Sequence, residues 1–130
     1  MSREIEFRGK RIDTGEWIFG SYLHQYYSIK NQGLIDAIAY TEKNQTFRPQ
    51  VDSETVGQFV GLQNGKKIFE GDIVTGINRI TEEEIPQKVT FLNGCFMFGN
   101  WNAHEYFNKH QFITVVGNIY DHPELMGGKG

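Results

Sequence analysis

The stretch "NGKKIFEGDIV", residues 64–74, decides how the chain reads. Asn64-Gly65 is a hairpin signal, because both residue types tolerate positive φ. "KIF" returns from that turn, Glu70-Gly71-Asp72 turns again, and Ile73-Val74 opens another strand. Two turns so close together leave room only for short strands. The same stretch holds two carboxylates around one glycine. Residues two apart on a strand share a face, where paired carboxylates can share a proton or a cation. Gly71 interrupts the strand, however, and a turn Asp bonds nearby backbone N–H groups. The expectation is therefore structural: Glu70, Gly71 and Asp72 form a turn, and Asp72 holds backbone N–H groups ahead of Ile73-Val74.

Working outward, "REIEFR" alternates, with Ile5 and Phe7 on one side and Glu4, Glu6 and Arg8 on the other, the period of a half-buried strand. With the turn "DTG" and the strand "EWIFGSYL", the first 23 residues read as a hairpin. "HQYYSIKNQG" reads as strand or loop, and "LIDAIAY" as short strand or helical turn. Pro49 within "TFRPQV" marks an edge strand or extended link. Beyond the opening stretch, "RITEEEIP" is a solvated connection. "QKVTFL", Asn93-Gly94 and "CFMFG" form a second hairpin. "WNAHEYFNKH" lacks strict alternation and suits a helical turn, "FITVVGNIY" is a strand, and "DHPELM" is a capped terminal turn with Pro123 in its first position. No linker divides the chain.

The chain has 130 residues, which fits one domain. Fifteen glycines against three prolines favour many turned strands over a few long helices. The net charge of −3 lacks the basic excess of a general nucleic-acid binder. The single cysteine, Cys95, excludes an internal disulfide and suits a reducing compartment. No secretory signal opens the chain and no apolar run approaches the roughly 20 residues that span a bilayer. A cytoplasmic protein with no membrane contact is expected.

Other candidates for chemistry are sparse. His24, His104, His110 and His122 form no HExxH, and no CxxC is present, so no metal or cofactor is expected. A Cys95–His104–His110 zinc set has no recognised spacing. Cys95 lies in the apolar "GCFMFG" and reads as a buried, inert thiol. No serine sits in a nucleophile elbow, and the glycines make no phosphate cradle. The cations Arg3, Arg8, Lys10 and Arg11, with tyrosines nearby, are a candidate nucleic-acid contact. The interleaved Glu4, Glu6, Asp13 and Glu16 argue instead for a solvated hairpin face. Eighteen aromatic side chains exceed what a small barrel encloses, so some should mark an interface between copies. Tyr22, Tyr26 and Tyr27 are the candidates, because their stretch shows no clean inward alternation.

Five motifs together resemble the YopX family of proteins encoded by phages and prophages of Gram-positive bacteria. They are "REIEFRGK", "GEWIFG", "TVGQFVGL", "EGDIV" and "GNIYDHPEL", in order from Arg3 to Leu125. Each is weak alone and specific as part of the set, and residues 24–50 and 77–112 carry little of it. The resemblance implies a small accessory protein of unassigned activity and transfers no catalytic residue. The expected fold is mostly β and antiparallel, a small SH3-like barrel or twisted sheet with an N-terminal hairpin and a short C-terminal helical turn. A single domain should span 1–130, with an N-terminal part to about residue 54 and a barrel-like part over about 55–126. The function expected first is non-catalytic binding or assembly as a homo-oligomer. A nucleic-acid-binding barrel is the alternative, and an enzyme is the least supported reading.

Overall fold

The structure, a computed structural model, describes residues 5–27, 33–63 and 65–126, and it describes no side chain between residues 25 and 34. Among these residues the chain is mostly β, in two antiparallel sheets. It divides into two compact units, residues 1–59 and 60–130. The division falls inside a strand, between Phe59 and Val60.

In the first unit, β1 (Phe7–Lys10) and β2 (Trp17–Tyr27) form the expected N-terminal hairpin. Its turn is closed by Arg11 N–H to Glu16 O at 2.8 Å and Gly15 N–H to Arg11 O at 2.9 Å. "LIDAIAY" resolves as strand: β3 (Gly33–Glu42) pairs with β2 over a long register, from Ser21 opposite Ala39 to Tyr27 opposite Gly33. The short β4 (Gln45–Phe47) is the edge, reached through Lys43 and Asn44, both at positive φ. On the other side, β5 (Gly57–Gln63) starts against β1. Buried Ala37, Ile38 and Val51 form the small apolar centre of this unit. Ile38 and Val51 each contribute about 1.5–3 kcal/mol by leaving water, and the Ala37 methyl less.

The second unit takes up the end of β5 and β6 (Lys66–Phe69). Then come β7 (Asp72–Asn78), β8 (Gln87–Leu92), β9 (Cys95–Phe98), β10 (Trp101–Asn102), α1 (Ala103–Lys109) and β11 (His110–Asn118). The last five strands make an open sheet ordered β10-β9-β8-β7-β11. The barrel alternative is thereby corrected to a sheet: β10 and β11 are its edges, and no pairing between them closes it. The core is Ile68, Val74, Val89, Phe98, Tyr106 and Ile113. The second hairpin turns on Asn93 and Gly94 at φ of 53° and 83°, the twist-matched geometry the dipeptide predicts. Helix α1 starts where the Asn102 side chain accepts Glu105 N–H at 2.8 Å and stops at His110, which is already extended. Tyr106 is its one buried residue, and its ring stacks on Phe98 at 4.8 Å. A single 3-10 turn, Pro123–Met126, follows β11, as expected.

Candidate functional site

The opening stretch resolves as a structural joint. Residues 70 and 71 form the turn between β6 and β7, and Asp72 is buried, its Oδ2 accepting the Phe69 N–H at 2.8 Å. The turn is also where the terminal motif docks. Ile119 N–H donates to Gly71 O at 2.9 Å, and Gly71 N–H donates to Val89 O at 2.8 Å. Gly71 has φ +93°, and an added Cβ would lie 2.8 Å from Cε2 of Tyr120. Asn118 completes the joint: its Oδ1 accepts the N–H groups of Tyr120 and Asp121 at 3.0 and 2.8 Å. "EGDIV" and "GNIYDHPEL" are thus two halves of one packing feature.

Within the basic cluster, Arg8, Lys10 and Arg11 each meet a partner inside the hairpin. Arg8 is buried, with its guanidinium 4.5 Å from the centre of the Trp17 ring, and Lys10 Nζ lies 5.4 Å from the same ring. Arg11 donates through Nε and an Nη to both carboxylate oxygens of Asp13, each at 2.9 Å. That pair raises the guanidinium pKa and lowers the carboxyl. Arg3 lies outside the described residues.

Tyr22 likewise faces inward. Its hydroxyl donates to Asp36 Oδ1, and burial, then that bond, pushes its pKa up to about 12. His24 Nδ1 meets the same oxygen at 2.7 Å. A carboxylate only accepts, so Nδ1 carries the proton and Nε2 holds the lone pair in neutral His24. The Tyr22 bond, with His24 behind it, holds the Asp36 carboxyl below the ordinary range. The cluster arises because Tyr22 and His24 stand two apart on β2 and His24 is opposite Asp36 on β3. Asp36 also lines an open cleft of about 580 Å³ with Lys10, Arg11, Gln50, Asp52 and Ser53. The side chains of Tyr26 and Tyr27 lie outside the description.

Among the described residues no three His, Cys, Asp or Glu side chains converge as a metal site. His104 is exposed beside Asn108, whereas His110 is buried, with Nδ1 3.0 Å from Tyr106 O and its ring stacked on Tyr106 at 4.0 Å. The Tyr106 hydroxyl is buried with no partner among the described residues; burial, then Glu84, pushes it up to about 12. Cys95 corrects its expectation: it is exposed. It begins β9 at the tip of the hairpin, where residues 91–95 are all exposed, and burial sets in only toward Phe98.

The surface the sequence reading missed is the outer face of β11. Phe112 has φ +55° and is 70% exposed, Thr114 is exposed, and Val116 is 42% exposed. The β11–β7 register shifts between Gln111 and Thr114, and again between Val115 and Gly117. Phe112 and Val116 therefore sit at irregularities, where an extra residue re-aims a side chain. The left-handed backbone that some bulges reserve for glycine is here occupied by Phe, at a cost of about 1–2 kcal/mol. The sequence signal was apolar alternation on both faces of "FITVV", with Ile113 inward and Phe112 outward.

The family described as "YopX protein" matches residues 6–127, and the chain belongs to that family. No curated protein and no solved structure gives a significant match.

Proposed function

We propose that this YopX-family chain is a phage- or prophage-type accessory protein that works by binding, with copies of itself as partner. The observation that supports this is Phe112, a large apolar ring held in solvent by a strained backbone. Exposure forfeits the ring's hydrophobic gain, and the left-handed conformation adds backbone strain. Two costs at one residue are relieved together when a partner covers the ring. Of the two candidate interfaces, β11 is favoured over Tyr22, whose hydroxyl is committed to Asp36. The nucleic-acid alternative is the less favoured reading, because Arg8 and Lys10 stack on Trp17 and Arg11 pairs with Asp13. The single cysteine suits the reducing cytoplasm of a bacterial host, and among the described residues no helix is long and apolar enough to cross a membrane. Size exclusion coupled to light scattering at micromolar concentration tests the reading. A mass above the 15.0 kDa monomer is expected, and a single monomer peak overturns it.

A further inference from the structure

We infer that the second unit holds a binding pocket for a primary alkylammonium group, with His110 at its inner wall and the acidic loop 82–84 at its mouth. A cavity of about 70 Å³ is lined by Asn78, Glu83, Ile85, Gln87, Trp101 and His110. One water needs about 10–15 Å³, so the space suits a group of a few heavy atoms. His110 is 6% exposed. Its Nδ1 lies 3.0 Å from Tyr106 O. A carbonyl only accepts, so Nδ1 carries the proton and Nε2 holds the lone pair in the neutral ring. Nε2 has no partner among the described residues. The fully enclosed side-chain atoms without a partner among those residues are Arg8 Nε and the Tyr106 hydroxyl, so Nε2 opens onto the cavity. A lone pair on a buried ring is met by a ligand that brings a proton on nitrogen or oxygen.

The charge at the mouth selects a cation. Exposed Glu83 lines it, between exposed Glu82 and Glu84. Asn78 holds the backbone of this loop in place. Its N–H donates to Glu83 O and its carbonyl accepts Glu82 N–H, both at 2.9 Å, and its Oδ1 accepts the N–H groups of Ile80 and Thr81 at 2.8 and 3.0 Å. Arg79 and Lys109 lie near the loop, but neither lines the cavity, and the Arg79 guanidinium turns to Gln111 Oε1 at 3.4 Å. Lys88 alternates to the other face of β8 from Gln87. Trp101 supplies an indole wall at 90° to the His110 ring, with ring centres 4.9 Å apart. An ammonium gains from an indole and from a carboxylate together. Exposed Ile85 gives an alkyl stem an apolar way out. An anion would meet the carboxylates of the loop, and a quaternary ammonium has no N–H for Nε2. The class that suits every wall is a protonated primary amine on an aliphatic stem.

The test is a titration of the full chain with n-butylammonium chloride at about pH 8, where imidazole is neutral and an alkylamine is protonated. Binding in the millimolar range is expected, read by NMR as saturable shifts of His110 Nε2 and of the Trp101 indole N–H. Tetramethylammonium lacks the N–H and n-butanol lacks the charge, so each should bind about tenfold more weakly or worse. Glu83→Gln, at an exposed position, should raise the Kd about tenfold. His110→Phe keeps a ring to stack on Tyr106 and should abolish the saturable shift at Trp101; if that variant fails to fold, Glu83→Gln and the ligand series decide alone. Tighter binding of Nα-acetyl-lysine amide than of butylammonium assigns the pocket to a lysine side chain of a partner, the reverse order assigns it to a free amine, and both bear the inference out. The absence of a saturable shift overturns it. So does a Kd for tetramethylammonium or butanol equal to that for butylammonium, or a Glu83→Gln chain that binds like wild type. None of these results bears on self-association.

Discussion

Asp72→Ala tests whether the signature carboxylate is a structural group. Asp72 and Phe69 are 2% and 3% exposed, and the bond from Phe69 N–H to Oδ2 is 2.8 Å long. Removing the carboxylate deprives a buried N–H of this acceptor, which costs about 1–3 kcal/mol, with charged acceptors in the upper part of that range. A loss of about 2 kcal/mol follows. For a chain of this size each kcal/mol shifts Tm by roughly 3–5 °C, so the variant should melt about 6–10 °C lower. Asp72→Asn keeps a carbonyl acceptor and should lose about half as much. Asp52→Ala is the matched control: Asp52 accepts Glu54 N–H at 3.1 Å in the same manner but is exposed, and should cost about 0.5–1 kcal/mol. Urea unfolding by circular dichroism, with the slope m checked for constancy, supplies the free energies. A midpoint for Asp72→Ala indistinguishable from wild type refutes the reasoning. So does an Asp52→Ala that costs more.

Gly71→Ala should lose at least about 2 kcal/mol, since a Cβ at φ +93° is strained and meets the Tyr120 ring at 2.8 Å; Tyr120→Ala in the same chain should recover the steric part, as thermal melts would show. Tyr22 and Tyr106, both pushed up to about 12, should ionise after ordinary tyrosines in an ultraviolet titration. Because these folded-state values are raised, the stability they lend is whole below the ordinary value of 10.0 and is lost as pH rises through about 12. Asp36 has the opposite sign: its folded pKa lies below 3.8, so the Tm gap between wild type and Asp36→Asn should be widest above that pH and close as pH falls further. Cys95 should react rapidly with a thiol reagent under native conditions, and protection until unfolding would contradict its exposure.

Strand type and turn position were legible where residue chemistry is local. Asn93-Gly94 names its own turn, and the alternation around Phe7 and Trp17 names its hairpin. The β3–β4 turn was not legible, because Lys43 and Asn44 adopt left-handed φ without a glycine to announce it. The barrel failed for a different reason: short strands fix neither closure nor edges, and β10 is only two residues long. The exposure of Cys95 was not legible, because apolar neighbours in sequence do not provide cover at a hairpin tip, where cover depends on what crosses it.

The site lay deeper than any motif. A bulge is a property of register between two strands, and neither β7 nor β11 alone shows that an extra residue turns Phe112 outward. Single-residue types could say that eighteen aromatics were too many for a small interior. They could not say which ring would be left outside. The tyrosines of β2 satisfied the sequence criterion of broken alternation, yet Tyr22 has a carboxylate within reach across the strand pair and Phe112 has no polar atom to spend. A ring with a hydroxyl can be settled by one hydrogen bond inside the unit. A bare phenyl on a strained backbone is settled only by another apolar surface, which makes Phe112 rather than Tyr22 the residue to mutate first.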